Sequence, residues 1–452
     1  MLIRVCFGLA LLAATPVWSQ LEATPFEMAP TPSDNSRMLI PPPVSGVAYP
    51  TTVGSQTRSN YLAGGFVFST AYDDNVVAGG STVPVGDVIY SILPTITLNQ
   101  NTVRQQLALT FSPGFTFYQH TNALNAANQS AALDFQYRLS PHTTIRLGDS
   151  FQRSSSVFDQ LDSVTGGAIS GSTLSPPAQV IAPFAERLNN TANADFSYQF
   201  SRNGMIGAGG VVATSNYPNP EQASGLYNSS SRGGSAFYSR RLSSGQYIGV
   251  TYQYLRSQGV PVNAVANPAN PQTEVETHTV LPFCTIYFGP ALSLSLSGGP
   301  QYFDTAESTS APFHAWAPSA TASIGWQKSY TNFAASYSRT VTGGVGLPGV
   351  FNSNSASASA GWQITRTWNL GLAVSYSINK NIGPFFPSSS IGGHSISGTV
   401  SVQHSLSEHL KAELGYAHLH QSYGDIAAIA SVPDSDRGFI SFTYQMSRTL
   451  GR

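Results

Sequence analysis

Residues 368–379 read WNLGLAVSYSIN. Trp368, Leu370, Leu372, Val374, Tyr376 and Ile378 share one parity and are apolar or aromatic. Asn369, Gly371, Ala373, Ser375, Ser377 and Asn379 share the other and are small or polar. Successive side chains of a strand point to opposite faces, so one face of this segment seeks an apolar medium and the other water. A soluble sandwich uses such strands as well. A chain that keeps the rule to its last residues, behind an export-like leader, fits better a transmembrane barrel with lipid outside and a wet lumen inside.

The same alternation recurs along the chain. Leu292, Leu294 and Leu296 alternate with Ser293, Ser295 and Ser297, and Leu133, Phe135, Tyr137 and Leu139 alternate with Ala132, Asp134, Gln136 and Arg138. Ile248, Val250, Tyr252 and Tyr254 alternate with Gly249, Thr251 and Gln253; near the end Ile440, Phe442 and Tyr444 alternate with Ser441, Thr443 and Gln445. Turn-forming residues separate the strands at Asn99–Asn101, Ser140-Pro141, Arg202–Gly204, Ser243–Gly245, Gly289-Pro290, Lys328-Ser329, Arg366-Thr367 and Ser407-Glu408. Other connections are long and rich in Gly, Asn, Ser and Pro: Ser154–Asn189, Asn216–Arg232, Ser257–Thr273 and Asn379–His394. Short turns on one side and long loops on the other match outer-membrane barrels, whose turns face the periplasm; the count is about 18 strands, with 16 the alternative. The expected fold is all-β, a closed antiparallel transmembrane barrel over residues 60–452. Trp326, Trp362 and Trp368 fall near expected periplasmic turns, where an aromatic girdle belongs.

The first residues, MLIRVCFGLALLAATPVWSQ, have a positive start at Arg4, an apolar stretch Val5–Ala14 and a cleavage-like Val17-Trp18-Ser19. Residues 1–19 therefore read as a signal peptide that directs the chain to the cell outer membrane. Residues 20–59 contain Pro25, Pro30, Pro32, Pro41, Pro42, Pro43 and Pro50 and no alternation, which marks an extended periplasmic lead-in, a linker or a docking segment for a periplasmic partner. Charged residues are only 10% of the chain and the formal net charge is -1, which excludes the basic stripe of a nucleic-acid binder. Lysine occurs only at Lys328, Lys380 and Lys411. A surface facing lipid needs little charge. Cys6 falls in the leader and leaves Cys284 without a partner for a disulfide.

The sequence holds no G-x-S-x-G elbow and no Gly-Lys pair of a phosphate-binding loop, so a non-enzymatic role is expected, with no cofactor and no metal. An enzyme at the outer rim, acting on lipid or envelope material, is the third-ranked alternative. His418 and His420 share the outward parity of Leu414 and Tyr416, which makes them interfacial residues rather than metal ligands. Asp73-Asp74-Asn75 ends the first strand, where it offers oxygens suited to calcium or marks a solvated exit into a loop. The inward parity is mostly Ser, Thr, Gln, Asn, Gly and Ala, interrupted by Arg104, Asp134, Arg138, Arg146, Asp195, Lys411 and Glu413. No ring of one sign appears, and hydroxyl and amide walls suit neutral solutes such as sugars.

The segment FSTAYDDNV, Phe68–Val76, closes the first strand after a Pro-rich lead-in, and DFQYRLSPHTTIRLG (Asp134–Gly148) and DFSYQFSRNGMIGAGG (Asp195–Gly210) form later strand pairs. In these features the chain resembles the β-barrel porins found with exopolysaccharide and PEP-CTERM-type sorting systems, whose first strand often ends in a Tyr-x-Asp-Asn-type sequence. Here the match is Tyr72, Asp73, Asp74, Asn75 and Val76. The resemblance implies a passive channel for hydrophilic solutes or exopolysaccharide; the alternative is a structural or binding barrel with a plugged lumen. By analogy with general porins, the third long loop, 154–189, folds into the lumen and sets Asp159, Asp162, Glu186 and Arg187 against Arg138 and Arg146, or else it caps the outside. The ending FTYQMSRTLGR departs from barrels that stop at an aromatic residue, with Phe442 and Tyr444 expected as the assembly signal ahead of a short tail.

Overall fold

The computed structural model describes residues 60–77, 83–102, 104–154, 185–223, 225–262, 272–289, 291–307, 310–328, 330–343, 346–347, 349–382, 392–423 and 434–450. The expected leader, the Pro-rich lead-in and most of the 154–189 connection, with Asp159 and Asp162, lie outside the described residues. In chain order the strands are β1 (Tyr61–Asp73), β2 (Asp87–Asn101), β3 (Gln105–Tyr118), β4 (Ala126–Ser140), β5 (Thr143–Ser154), β6 (Arg187–Ser201), β7 (Gly204–Asn216), β8 (Tyr227–Ser243) and β9 (Gln246–Pro261). They continue with β10 (Thr273–Tyr287), β11 (Leu292–Glu307), β12 (Ser310–Lys328), β13 (Thr331–Gly343), β14 (Val350–Gln363), β15 (Trp368–Asn381), β16 (Gly392–Ser405), β17 (Leu410–Tyr423) and β18 (Asp434–Thr449).

Each strand pairs antiparallel with its neighbours in sequence, and β1 pairs with β18 from Tyr61↔Thr449 to Asp73↔Arg437. The chain is thus a closed antiparallel barrel of 18 strands. Closure removes the open edges that a flat sheet of this size would expose. The parity rule holds around the wall. Phe66, Phe68, Ile248, Val250, Leu372 and Ile440 project outward and are exposed, whereas Thr251, Ser293, Ser295, Ser377 and Ser441 face inward. On β15, Trp368 and Tyr376 bracket the apolar band; the strand between them rises about 26 Å, close to the ~25 Å band of outer-membrane barrels. Trp362 and Trp368 are exposed beside the turns, as expected, and Trp368 stacks on His404 at 4.3 Å. Toward the opposite rim Tyr252, Tyr254, His278, Tyr302 and Trp316 form a second outward aromatic cluster.

Seven of the eight expected tight turns fall at junctions of consecutive strands at one end of the barrel; Asn99–Asn101 instead ends β2, paired to Gln106–Ala108, and the turn follows it, before Gln105. At the other end the strands run further than the sequence suggested. β8 begins at Tyr227, inside the expected loop 216–232, and β9 reaches Pro261. The outward residues of these extensions, Asn228, Ser230, Arg232 and Gln258, are mostly polar, and just below them Arg256 pairs with Glu274 and Glu276, so the strands overshoot the lipid and lose the alternation that marks them. The C-terminus differs in the same sense. Residues 445–449, expected as a tail, belong to β18, which continues to Thr449 by pairing with β1.

Closure is secured at its outer end by the Tyr72–Val76 segment. Asp73 is buried and takes two hydrogen bonds from the Arg437 guanidinium on β18 (3.2 and 3.0 Å) and one from Ser435 Oγ (2.9 Å). The Asp74 N–H donates to Asp436 O, and the Asp436 N–H donates back to Asp74 Oδ1. Asn75 Nδ2 donates to Asp434 O at 2.6 Å. The acidic run therefore fastens the first strand to the last, which corrects both sequence readings, cation ligation and a solvated exit.

On the inner wall, rings lie across glycines of neighbouring strands: a Cβ at Gly207, Gly249 or Gly415 would collide with the ring of Phe237, Phe283 or Phe439. These aromatics cover exposed backbone while lying flat, so the lumen is less uniformly small and polar than its sequence parity implied.

Removing one partner of a buried ion pair leaves an uncompensated charge, at a cost of roughly 3–5 kcal/mol, while replacing both costs far less. Asp73→Ala should therefore destabilise the barrel more than the double variant Asp73→Ala/Arg437→Met. Urea midpoints of vesicle-folded protein, read by loss of the heat-modifiable band, measure the difference.

Candidate functional site

Among the described residues the inner face of the wall is polar from strand to strand around the barrel. Its hydroxyls meet across strands: Ser231 with Ser257 (2.9 Å), Thr285 with Ser295 (2.8 Å), Ser297 with Thr321 (2.6 Å), Ser336 with Ser357 (2.8 Å) and Ser375 with Ser397 (2.6 Å). Directly opposed side chains on one sheet face sit close enough for such pairs. The wall therefore carries hydroxyl ladders; Thr285 and Ser295 are buried, whereas Thr321, Ser357 and Ser375 are half-buried and can exchange hydrogen bonds with water or with a hydroxylated solute.

The expected lumen charges separate into groups. Asp134, Arg146 and Asp195 lie side by side on β4, β5 and β6, with Arg146 registered opposite Asp195 and interacting with both carboxylates. Arg146 Nε donates to Gln136 Oε1 (2.7 Å) and Asn193 Nδ2 to Asp195 Oδ2 (3.2 Å), so the cluster is internally paired. Arg138 shares its inward parity nearer the turns. Lys411 and Glu413 adjoin on β17, six strands away around the ring. Arg104 is instead exposed in the β2–β3 turn, where its carbonyl accepts the Arg138 N–H at 2.7 Å.

The expected constriction of Glu186 and Arg187 against Arg138 and Arg146 does not form. Arg187 is registered opposite Ser154, and the run from Arg146 to Ser154 is about 26 Å of strand. Glu186 pairs with Arg153 near the loop end, and Arg187 is fully buried against Tyr217. His418 and His420 do face outward, each bonded to an aspartate of β18, Asp436 and Asp434, at 2.7 Å. Among the described residues no group of three or more His, Cys, Asp or Glu is placed to hold a metal ion.

The sequence reading missed a stopper at the loop end of the lumen. Leu347, Phe351, Leu226, Ala223, Tyr217, Ala185 and Tyr423 form one apolar cluster, each at most 3% exposed. Leu226 leads into β8 and Tyr423 ends β17; in a ring of 18 these strands stand opposite each other, so the cluster bridges the mouth. Backbone bonds reinforce it: the Tyr227 N–H donates to Gly346 O (3.0 Å) and the Val262 N–H to Leu226 O (3.1 Å). Gly346 and Gly349 take φ +85° and +103°, left-handed conformations that suit glycine and turn Leu347 into the cluster.

The β13–β14 hairpin carries the stopper inward because β13 leaves the wall. Its ladder with β12 runs from Lys328↔Thr331 only to Ala320↔Arg339, although β13 extends to Gly343. The reason lies in two prolines. Pro318 stands opposite Pro300, and two residues without N–H groups form a non-hydrogen-bonded pair. Pro318 therefore turns its backbone toward β13, where it has no proton to offer. On the other flank, where Pro300 faces β10, the ladder skips from Thr279↔Gln301 to Phe283↔Ser297. Released from β12, Val341 and its neighbour Val350 pack on the inner faces of β10 and β11, against Val275 and Phe303. Gln301 replaces the lost strand: its Nε2 donates to Val341 O and its Oε1 accepts the Val341 N–H, both at 2.8 Å.

No protein-family model and no curated protein matches the sequence. Among solved structures the barrel is similar to OpdL of Pseudomonas aeruginosa, at 11% identity over 86% of this chain and 99% of that one, with a TM-score of 0.38. It is also similar to OccK2 (OpdF) of Pseudomonas aeruginosa, at 8% identity over 86% and 98% of the two chains, TM-score 0.43. A third is OccAB4 of Acinetobacter baumannii, at 10% identity over 88% and 100%, TM-score 0.41. These are similarities of barrel architecture only.

Phe351 is among the largest fully buried side chains. Its replacement by alanine removes about 3–5 kcal/mol of packing. Hydrogen exchange at the Tyr227 amide, which depends on the stopper loop, is expected to accelerate in Phe351→Ala while amides of the β4–β5 ladder stay unchanged.

Proposed function

We propose that this protein is an outer-membrane channel for hydrophilic solutes, closed at its loop end in the present conformation. The observation that carries the reading is the inner wall of paired hydroxyls and amides behind an apolar outer face. Neutral, hydrogen-bonding solutes such as sugars suit it, because the Asp134–Arg146–Asp195 cluster sets a cation between two carboxylates and forms no ring of one sign. The resemblance carried by Phe68–Val76 extends the reading to segments of an exopolysaccharide. Residues 1–19 would direct export, and residues 20–59 would then lie in the periplasm.

The stopper favours a second reading, a binding or structural barrel whose lumen stays plugged and whose lead-in meets a periplasmic partner. Liposome swelling separates the two. Purified barrel and the variant Leu347→Ser/Phe351→Ser are inserted into vesicles and challenged with neutral sugars of graded size. The channel reading expects the variant to swell several-fold faster than the parent, with a sharp size limit. Well-inserted variant that admits none of the sugars would overturn it and leave the plugged barrel.

A further inference from the structure

The upper part of β13 has two available seats. In the structure it occupies the inner one, held by Gln301 and by the contact of Val341 with Val275 and Phe303. The other is the vacated edge of β12. The register of the existing ladder, Ala320↔Arg339, extends without a shift to Pro318↔Val341, Ala317↔Thr342 and Trp316↔Gly343. We propose that the β13–β14 tip, with the upper end of β15 paired to it, moves between these seats as a unit, and that its transfer from Gln301 to the β12 edge draws Leu347 and Phe351 out of the mouth and opens the lumen.

Three observations support a hinged tip. β13 stays paired with β14 to Gly343↔Val350, and β14 with β15 to Phe351↔Asn381 with the Ile382 N–H on Val350 O, so the tip moves together with the upper end of β15 and breaks neither ladder. The departure from β12 starts at a defined place, above Arg339, whose carbonyl is caught by Ser319 Oγ at 3.1 Å. The inner seat uses one side-chain amide where the wall seat would use a strand, and Pro318 leaves the wall seat one donor short. Each seat is therefore incomplete in its own way, and two such arrangements can lie close in free energy. The consequence for conduction rests on the channel reading; the existence of two seats does not.

Cross-linking tests the seats directly, in the intact barrel carrying Cys284→Ser. A Cβ at Gly343 would lie 3.0 Å from Val275 Cβ, so Val275→Cys/Gly343→Cys reports the inner seat. In the wall seat Gly343 stands three strand spacings from β10, about 14 Å, beyond reach of a disulfide. There it faces position 316 instead, and Trp316→Cys/Gly343→Cys reports that seat. Formation of both disulfides in inserted protein is expected. The 275–343 bond should abolish conductance until reduced, and the 316–343 bond should hold the pore open. A 275–343 bond that forms fully while 316–343 never forms would overturn the two seats. Equal conductance of the oxidised and reduced 275–343 variant would overturn the gate. If both bonds form and neither state conducts, the exchange stands and the channel reading fails.

Discussion

In a membrane-spanning sheet every backbone N–H and C=O in the hydrocarbon must find a partner within the protein. That demand accounts for closure, for the fully registered seam between β1 and β18, and for the even strand number that brings both ends to the side of the short turns. It also shows where the wall can yield. Proline is the residue that withholds a donor, and the break above Ala320↔Arg339 follows from Pro318 standing opposite Pro300. A local rule of the peptide unit thus sends a hairpin into the lumen and produces the stopper.

The fold was legible because the lipid imposes alternation on nearly every strand. Residues such as Leu292, Leu294 and Leu296 announce their face without any tertiary information. Legibility ends where lipid ends. Above the outer aromatic cluster both faces meet water, so Arg232 and Gln258 read as loop although they belong to strands. The role of Asp73 was hidden for another reason: its partner Arg437 lies at the opposite end of the chain, and no local pattern announces a seam. The pairing expected between Glu186 or Arg187 and the Arg146 region failed on distance along the strand, a quantity fixed by register and invisible to composition.

The stopper residues were legible only in part. Leu347 and Phe351 sit in a Gly- and Pro-rich run, and single apolar residues in such a run carry no period. The sharper signal was Pro318 inside an otherwise regular strand, since proline belongs at edges and breaks in sheets. Together with Gln301, an inward amide on the strand beyond, it marks the place where one ladder ends and a substitute begins.

The position of that break bears on what it costs. Trp316 and Tyr302 belong to the outer aromatic cluster, the level at which indole and phenol rings meet headgroups and water. The unpaired stretch of β12 begins at Ser319, just below that level, where Pro318 has no N–H to strand and Ser319 Oγ caps the Arg339 carbonyl, and it continues toward the loops and water. The same break placed near Leu372 or Val250 would strand several groups in lipid at a cost of several kcal/mol each. On the inner side the groups of Val341 are surrounded by Val275, Phe303 and Val350, where water cannot serve them. A glutamine side chain carries both a donor and an acceptor on one planar group, which matches an N–H and C=O of the same residue. Leucine at 301 would fill similar space and leave both backbone groups unpaired. The infolded hairpin is tolerable because its outer loss is hydrated and its inner loss is met by Gln301.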